Sequence, residues 1–231
     1  MSNPYFDFGA FLEAFPKLLS LLPYTLFTVC IILVLSLVFA ILLVWLRLRK
    51  NKIVSGIIRL YIMVIRGIPL MLLLFVVYYG LPILLQLWGI NTANIQPLPF
   101  VIVAFTLSTS AFEAEVIRAA YESIDQGQME AAQSLSLPSA SFFFHILVPQ
   151  TFVLALPNLG NLIITAIKQS SIMYTIGVMD IYQKARTLSA DHFGVWQLEI
   201  FLALMFIYWG VALLIDFAIA KLYKKMLIYI P

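Results

Sequence analysis

Polar side chains recur on one face of an otherwise apolar segment around residue 160. Asn158, Asn161, Thr165 and Lys168 are spaced i, i+3, i+7 and i+10, which places them on the same face of a helix. Amide and hydroxyl groups donate hydrogen bonds to a carboxylate, and an acidic side chain binds an ammonium group. The face therefore has chemistry suited to a zwitterion. Hydrogen bonding between neighbouring helices is the alternative interpretation.

A second polar group occurs between residues 106 and 118. Thr109 and Glu113 share one helical face, while Ser108 and Glu115 share a neighbouring face. Polar groups at membrane depth are costly unless they face a partner or a wet cavity. We predict a substrate path lined by Asn158, Asn161, Thr165, Glu113, Glu115, Ser108 and Thr109. Within it Glu113 is the candidate for substrate specificity, whereas Glu115 and Arg118 alternatively pair with each other.

The composition requires an apolar solvent around these side chains. Of 231 residues, 63% are hydrophobic and only 11% are charged, compared with roughly 25% charged in an ordinary soluble domain. The mean hydropathy is +1.01. A soluble fold of this length cannot bury so much apolar surface, so we predict an integral membrane protein surrounded by the lipid bilayer.

Five apolar stretches are long enough, at about 20 residues, to cross a bilayer as helices. We predict an all-α fold with spans at about 21–46, 69–88, 100–118, 152–167 and 198–219. Residues 1–20 form an N-terminal segment, 21–220 the membrane domain and 221–231 a tail. An interfacial helix over Tyr5–Leu18 and a flexible terminus are alternatives for the first segment.

The basic residues predict the orientation of the chain. With the loop after the first span in the cytoplasm, ten of the fourteen Lys and Arg residues lie inside. The N-terminus is then outside and the C-terminal tail is in the cytoplasm, as an odd number of spans requires. We expect this arrangement in the plasma membrane of a bacterium, the inner membrane where there are two.

Residues 121–150 interrupt the apolar pattern on the predicted cytoplasmic side. Gln126–Leu137 is rich in helix formers, and Pro138 predicts the end of that helix because it lacks an amide donor. Ser139 is a candidate N-cap for a second short helix that ends where Pro149 opens the next span. Two short helices with a break between them predict a knob suited to docking into a partner's groove.

The same segment carries a motif. The sequence over Glu130–Ser136, followed by Ile146–Gln150, resembles the EAA signature of permease subunits in ABC importers, specifically the polar amino acid group. Further matching segments are 66–70, 111–118, 123–124, 127–128, 157–161 and 168–171. Two segments, Tyr78–Pro82 and Ile181–Thr187, look most like cystine-type members.

The resemblance implies a transport subunit of the type I importer fold. Coupling to a separate ABC ATPase is implied for Glu130, Ala131, Ala132, Ser136 and Pro149. Further implied partners are a substrate-binding protein and a second permease subunit, identical or homologous. The family usually has glycine at the position of Ser136, where a left-handed backbone joins the two coupling helices, so this turn is expected to differ.

Other functional classes have less support in the sequence. No Gly-x-x-x-x-Gly-Lys-Ser/Thr loop is present, so ATP and magnesium are expected on the partner ATPase. Two histidines and one cysteine make a metal site improbable, and a net charge of +3 gives no indication of nucleic acid binding. An ion-coupled secondary transporter is the alternative, as is a relative specific for arginine, histidine or glutamine.

Overall fold

A computed structural model describes residues 6–92 and 94–229, and this part of the chain is helical, without a β-strand. The α-helices are α1 (Phe8–Leu19), α2 (Leu22–Arg47), α3 (Lys52–Gly67), α4 (Leu70–Leu87), α5 (Leu98–Glu122), α6 (Gln126–Ser134), α7 (Ser139–Phe142), α8 (Val148–Gln169), α9 (Ile181–Asp191) and α10 (Gln197–Met226). A π-helical turn, Phe143–Leu147, joins α7 to α8, and 3-10 segments follow α8 (Ser170–Ile176) and α10 (Leu227–Tyr229).

Five of the helical stretches are long and apolar enough to cross a membrane, as predicted. They are Leu22–Arg47, Leu70–Leu87, Leu98–Glu122, Ser139–Ile176 and Gln197–Tyr229. The fourth stretch differs most from the prediction, because the turn after Phe142 remains helical and joins the short helix α7 to the span. The orientation of the termini stays a prediction from charge.

Helix α5 lies at the centre of the bundle and contacts α2, α3, α4 and α8. The main apolar core surrounds it, with Phe105 and Val101 fully buried. Helix α8 also packs on α10, where the Ile219 side chain lies against Gly160. A Cβ at that position would lie 2.9 Å from the Ile219 Cγ2 atom, so only glycine fits this crossing without displacement.

The N-terminal helix α1 packs on α10 and α9 in a second apolar cluster. Asp7 caps α1 by accepting a hydrogen bond from the Ala10 N–H at 3.1 Å. The Asp7 N–H donates to Glu199 Oε1 of α10 at 2.8 Å. A helix in this segment was one of the two predicted alternatives, and it is present as Phe8–Leu19; Tyr5 lies outside the described residues.

Two helices, α3 and α9, were not predicted. The side chain of Asn51 caps α3 by accepting from the N–H groups of Ile53 and Val54, at 3.0 and 3.3 Å. Helix α3 ends at Gly67 because Ile68 precedes Pro69, which disfavours the helical region; Ile68 is extended, with φ −94° and ψ 129°. Helix α3 therefore replaces the simple basic loop expected after the first span, and α4 is the predicted second span.

Asp180 caps α9 outside the membrane-spanning helices. Its Oδ1 atom accepts from the Gln183 N–H at 2.7 Å, and the carboxyl group is fully buried. The next N–H, of Ile181, donates to the Thr25 hydroxyl of α2 at 3.1 Å. Oδ2 has no hydrogen-bond partner among the described residues, and burial raises the pKa of the Asp180 carboxyl to about 6.

This burial predicts a pH dependence of stability. The ordinary pKa is 3.8, so between pH about 4 and about 6 the folded protein binds more protons than the unfolded chain. Stability then falls as the pH rises through this window, by about 2–3 kcal/mol. Asp180→Asn keeps an oxygen for the cap and removes the titration. We expect the melting temperature of the variant minus that of the parent to increase from pH 4 to 6, because only the parent loses stability in this range. A constant difference would contradict the assignment.

Candidate coupling surface and substrate path

Residues 121–150 contain two short helices separated by a tight turn, as the sequence predicts. Helix α6 ends with the Leu135 N–H donating to the Ala131 carbonyl and the Leu137 N–H donating to the Ala132 carbonyl, both at 3.0 Å. Ser136 between them has a positive φ of 52°. This is the Schellman arrangement, in which a left-handed residue lets the chain satisfy the last helical carbonyls.

Two details of this segment were predicted wrongly. Ser139 does not cap the second helix; it is the first helical residue, and the preceding Pro138 provides no side-chain hydrogen bond. Pro149 does not separate a short helix from the span, because α7, the π-helical turn and α8 are continuous. Pro149 lies in the first turn of α8, the position in an α-helix where a missing amide donor is best tolerated.

Ser136 adopts the left-handed backbone conformation in which the family usually has glycine. This corrects the expectation that the turn has a different geometry. A non-glycine residue in this conformation carries a cost of about 1 kcal/mol. We expect Ser136→Gly to stabilise the turn by about that amount, with hydrogen exchange at the Leu137 amide slowed several-fold. Ser134→Gly, two residues earlier at the end of α6, is the control and should destabilise. Faster exchange in Ser136→Gly would contradict the role of this turn.

A small apolar core holds the two helices together. Ala132, Phe142 and Leu147 are buried in it, with Tyr121 and Ile124 packed alongside. On the outside, four large apolar side chains of the two short helices and their connections are exposed, namely Leu135, Leu137, Phe143 and Phe144. We call these four residues the coupling tip. Glu130 and Ala131 are also exposed, as is Ser136, whereas Pro149 is half-buried.

The polar face predicted for the fourth span is present on α8. Asn158, Asn161 and Lys168 are exposed, and Thr165 is half-buried. The Thr165 hydroxyl donates to the Asn161 backbone carbonyl at 2.8 Å. The side-chain amides of Asn158 and Asn161 form no hydrogen bond with any described residue. We call these four residues the α8 polar face. It lies open on the surface of the single chain.

The polar residues of α5 lie elsewhere. Ser108, Thr109 and Glu113 are buried, and the Glu113 carboxyl interacts with the Ser36 side chain of α2. Its Oε2 atom has no hydrogen-bond partner among residues 6–92 and 94–229. Glu113 is therefore buried in the helix packing, whereas Asn158 and Asn161 of the α8 polar face are exposed.

Glu115 is part of an ion-pair network at the end of α5. It pairs with Arg118, which was the alternative interpretation from the sequence, and Arg118 also pairs with Glu122. The sequence analysis missed a third partner, Arg47 of α2, whose guanidinium lies 2.7 Å from Glu115 Oε2. This network fixes the ends of α2 and α5 to each other. In the described part of the chain, no three His, Cys, Asp or Glu side chains gather as metal ligands.

Comparison with known proteins identifies the family. Residues 36–228 match the family described as the inner membrane component of binding-protein-dependent transport systems. The chain is 37% identical over 213 residues to the L-cystine transport system permease protein TcyL of Bacillus subtilis (strain 168), covering 91% of this chain and 87% of TcyL. It is 36% identical to the probable amino-acid ABC transporter permease protein PatM of Vibrio harveyi, covering 95% and 97%.

The fold is also found in solved transporters. A chain of an amino acid ABC transporter crystallised with histidines superposes with a TM-score of 0.81 at 26% identity, over 95% of this chain and 99% of that one. A chain of the inward-facing MetNI methionine ABC transporter shares the fold, with a TM-score of 0.66 at 17% identity. With five candidate spans, two short helices between the third and fourth spans and these relatives, the chain belongs to the family of inner membrane permease components of binding-protein-dependent ABC transport systems.

Proposed function

We propose that this chain is the membrane-spanning permease subunit of an ATP-driven importer for L-cystine or a closely related polar amino acid. The observation that carries the proposal is that one continuous helical stretch, residues 139–169, joins two exposed surfaces. Phe143 and Phe144 of the coupling tip lie near its start, and the α8 polar face lies further along it. The names of TcyL and PatM support the class of substrate.

The coupling tip supports docking to a separate ATPase. Leu135 and Phe144 are 73% and 65% exposed, and apolar side chains clustered on a projection outside the membrane favour a protein partner. Glu130 lies on the same projection and forms no ion pair with any described residue, so it is available to a basic residue of the ATPase. ATP and magnesium would bind to that partner.

The α8 polar face supports a path shared with a second permease subunit. Asn158 and Asn161 lie near the middle of a span, where a polar side chain facing lipid is costly. A second subunit that covers this face would enclose a wet path between the two chains. The Asn amides would bind the substrate carboxylate by donating hydrogen bonds, which is the interaction a zwitterion requires.

The continuous helix from α7 to α8 supplies a mechanical connection. ATP binding would draw two coupling tips together, and because α7, the π-helical turn and α8 are continuous, that movement would reach the polar face directly. A substrate-binding protein would deliver the amino acid on the outer side. Outward and inward access would then alternate about the α8 polar face.

Substrate identity is tested on the partner binding protein together with the transporter. Radiolabelled L-cystine should be taken up, and glutamine, histidine or arginine at equal concentration should reduce that uptake only slightly. If unlabelled arginine, histidine or glutamine abolishes cystine uptake at lower concentration than cystine itself, the cystine assignment is wrong, and the competing amino acid is the substrate.

A further inference from the structure

A basic cavity opens between α3 and the ends of α2 and α5. Its volume is about 400 Å³. The residues that line it are Arg47, Arg59, Ile62, Met63, Arg66, Gly67, Phe112 and Glu115. Three guanidinium groups thus surround a space that borders the membrane-spanning helices, and neither the coupling tip nor the α8 polar face contributes to it.

The charges in this cavity are not balanced. Arg47 is paired with Glu115 at 2.7 Å, and the same carboxylate is already shared with Arg118. Arg59 and Arg66 form no ion pair within residues 6–92 and 94–229. The Arg66 guanidinium lies 5.5 Å from the centre of the Phe112 ring, which orients it but leaves its charge uncompensated. The cavity therefore favours an anion.

A different face of α3 is apolar, and its nearest member to the arginines, Leu60, lies about 100° around the helix from Arg59. Ile53, Ile57, Leu60 and Val64 follow the spacing i, i+4, i+7 and i+11, so they form one stripe along α3. All four are exposed, Ile53 by 75% and Ile57 by 62%. We call these residues the α3 stripe. A ligand that fits both features carries an anionic head and a long apolar tail.

We propose that this cavity binds the phosphate group of an anionic phospholipid, with its acyl chains along the α3 stripe. Basic pockets between membrane helices on the cytoplasmic side are suited to such head groups, and charge asymmetry places this cavity on that side. An isologous contact with a second copy of the chain fits less well, because it would bring Arg59 and Arg66 against the same arginines. The inference rests on the orientation proposed above.

The test measures lipid retention and requires no transport. The full chain, in its complex with the partner subunits, is exchanged into phosphatidylglycerol or phosphatidylcholine and delipidated. The phospholipid that remains bound is then counted by native mass spectrometry. The parent should retain phosphatidylglycerol in preference to phosphatidylcholine, and Arg59→Gln combined with Arg66→Gln should lower that retention about tenfold.

Matched variants separate this site from general attraction. Lys221→Gln combined with Lys224→Gln removes two exposed cytoplasmic charges outside the cavity and should leave retention unchanged. Ile57→Gln combined with Leu60→Gln should weaken retention of phosphatidylglycerol without changing the binding of inorganic phosphate. Equal retention in the parent and the arginine variant, at equal melting temperature, would overturn the proposal. Retention unaffected by the stripe variant would point to a free anion and would also overturn it.

Discussion

Replacing Glu130 by glutamine is expected to reduce ATP-driven uptake about tenfold, while the protein still inserts into the membrane. The substitution removes one charge from an exposed position on α6, and losing a charge-assisted contact of about 1.4 kcal/mol changes an equilibrium tenfold. The measurement is uptake into proteoliposomes together with co-purification of the ATPase subunit. Glu130 forms no ion pair with a described residue, so its loss should leave the melting temperature of the permease unchanged.

The control is Glu13→Gln on α1. Glu13 is also an exposed glutamate, and its contact is a surface ion pair with Lys17 at 3.6 Å, which contributes at most a few tenths of a kcal/mol. Uptake in Glu13→Gln should match that of the parent. A variant at the coupling tip, Leu135→Asp, should lose ATPase co-purification as well, because it places a charge in the proposed apolar contact. If Glu130→Gln transports like the parent, Glu130 has no role in docking.

Replacing Asn161 by leucine is expected to reduce uptake by at least about tenfold without disturbing ATPase association. The Asn161 amide is exposed on the α8 polar face, and a hydrogen bond to a charged substrate group contributes about 1.5–3 kcal/mol. Its backbone carbonyl, which accepts from Thr165, is retained in the variant, so helix α8 is preserved. The measurements are uptake at a series of substrate concentrations and ATPase co-purification.

Gln197→Leu makes the same amide-to-apolar change at the start of α10, where the side chain is also exposed. It should transport like the parent. Asn158→Leu should behave like Asn161→Leu, and the double variant should lose little more than either single one if both amides hold the same carboxylate. Normal uptake by Asn161→Leu would show that the α8 polar face is not the substrate path.

The spans could be predicted because length and hydropathy determine them almost alone. Helix α3 was missed for the same reason. It has only 16 residues and contains Arg59 and Arg66, so its apolar positions did not form an uninterrupted run. Its signals were local: an Asn51 cap before the helix and the Ile68–Pro69 pair after it. Helix α9, with its Asp180 cap, carried a similar signal that a search for apolar runs cannot detect.

The candidate site was predictable only where spacing determines exposure. On α8, the spacing predicted one polar face among apolar neighbours, and its four residues are exposed or half-buried on that helix. On α5, the same reasoning placed Glu113 on a path, but a helix surrounded by four others buries polar residues on several faces. The partner of Glu115 in α2, Arg47, is 68 positions away, and no spacing rule within one helix could identify it.

Uptake by the reconstituted complex tests the central claim most directly. The permease, its ATPase and its binding protein are placed in liposomes with ATP inside and the binding protein and L-cystine outside. We expect accumulation that requires ATP and the binding protein and is unaffected when proton and sodium gradients are dissipated. Accumulation driven by an ion gradient in the absence of ATP would contradict the assignment as an ABC importer permease.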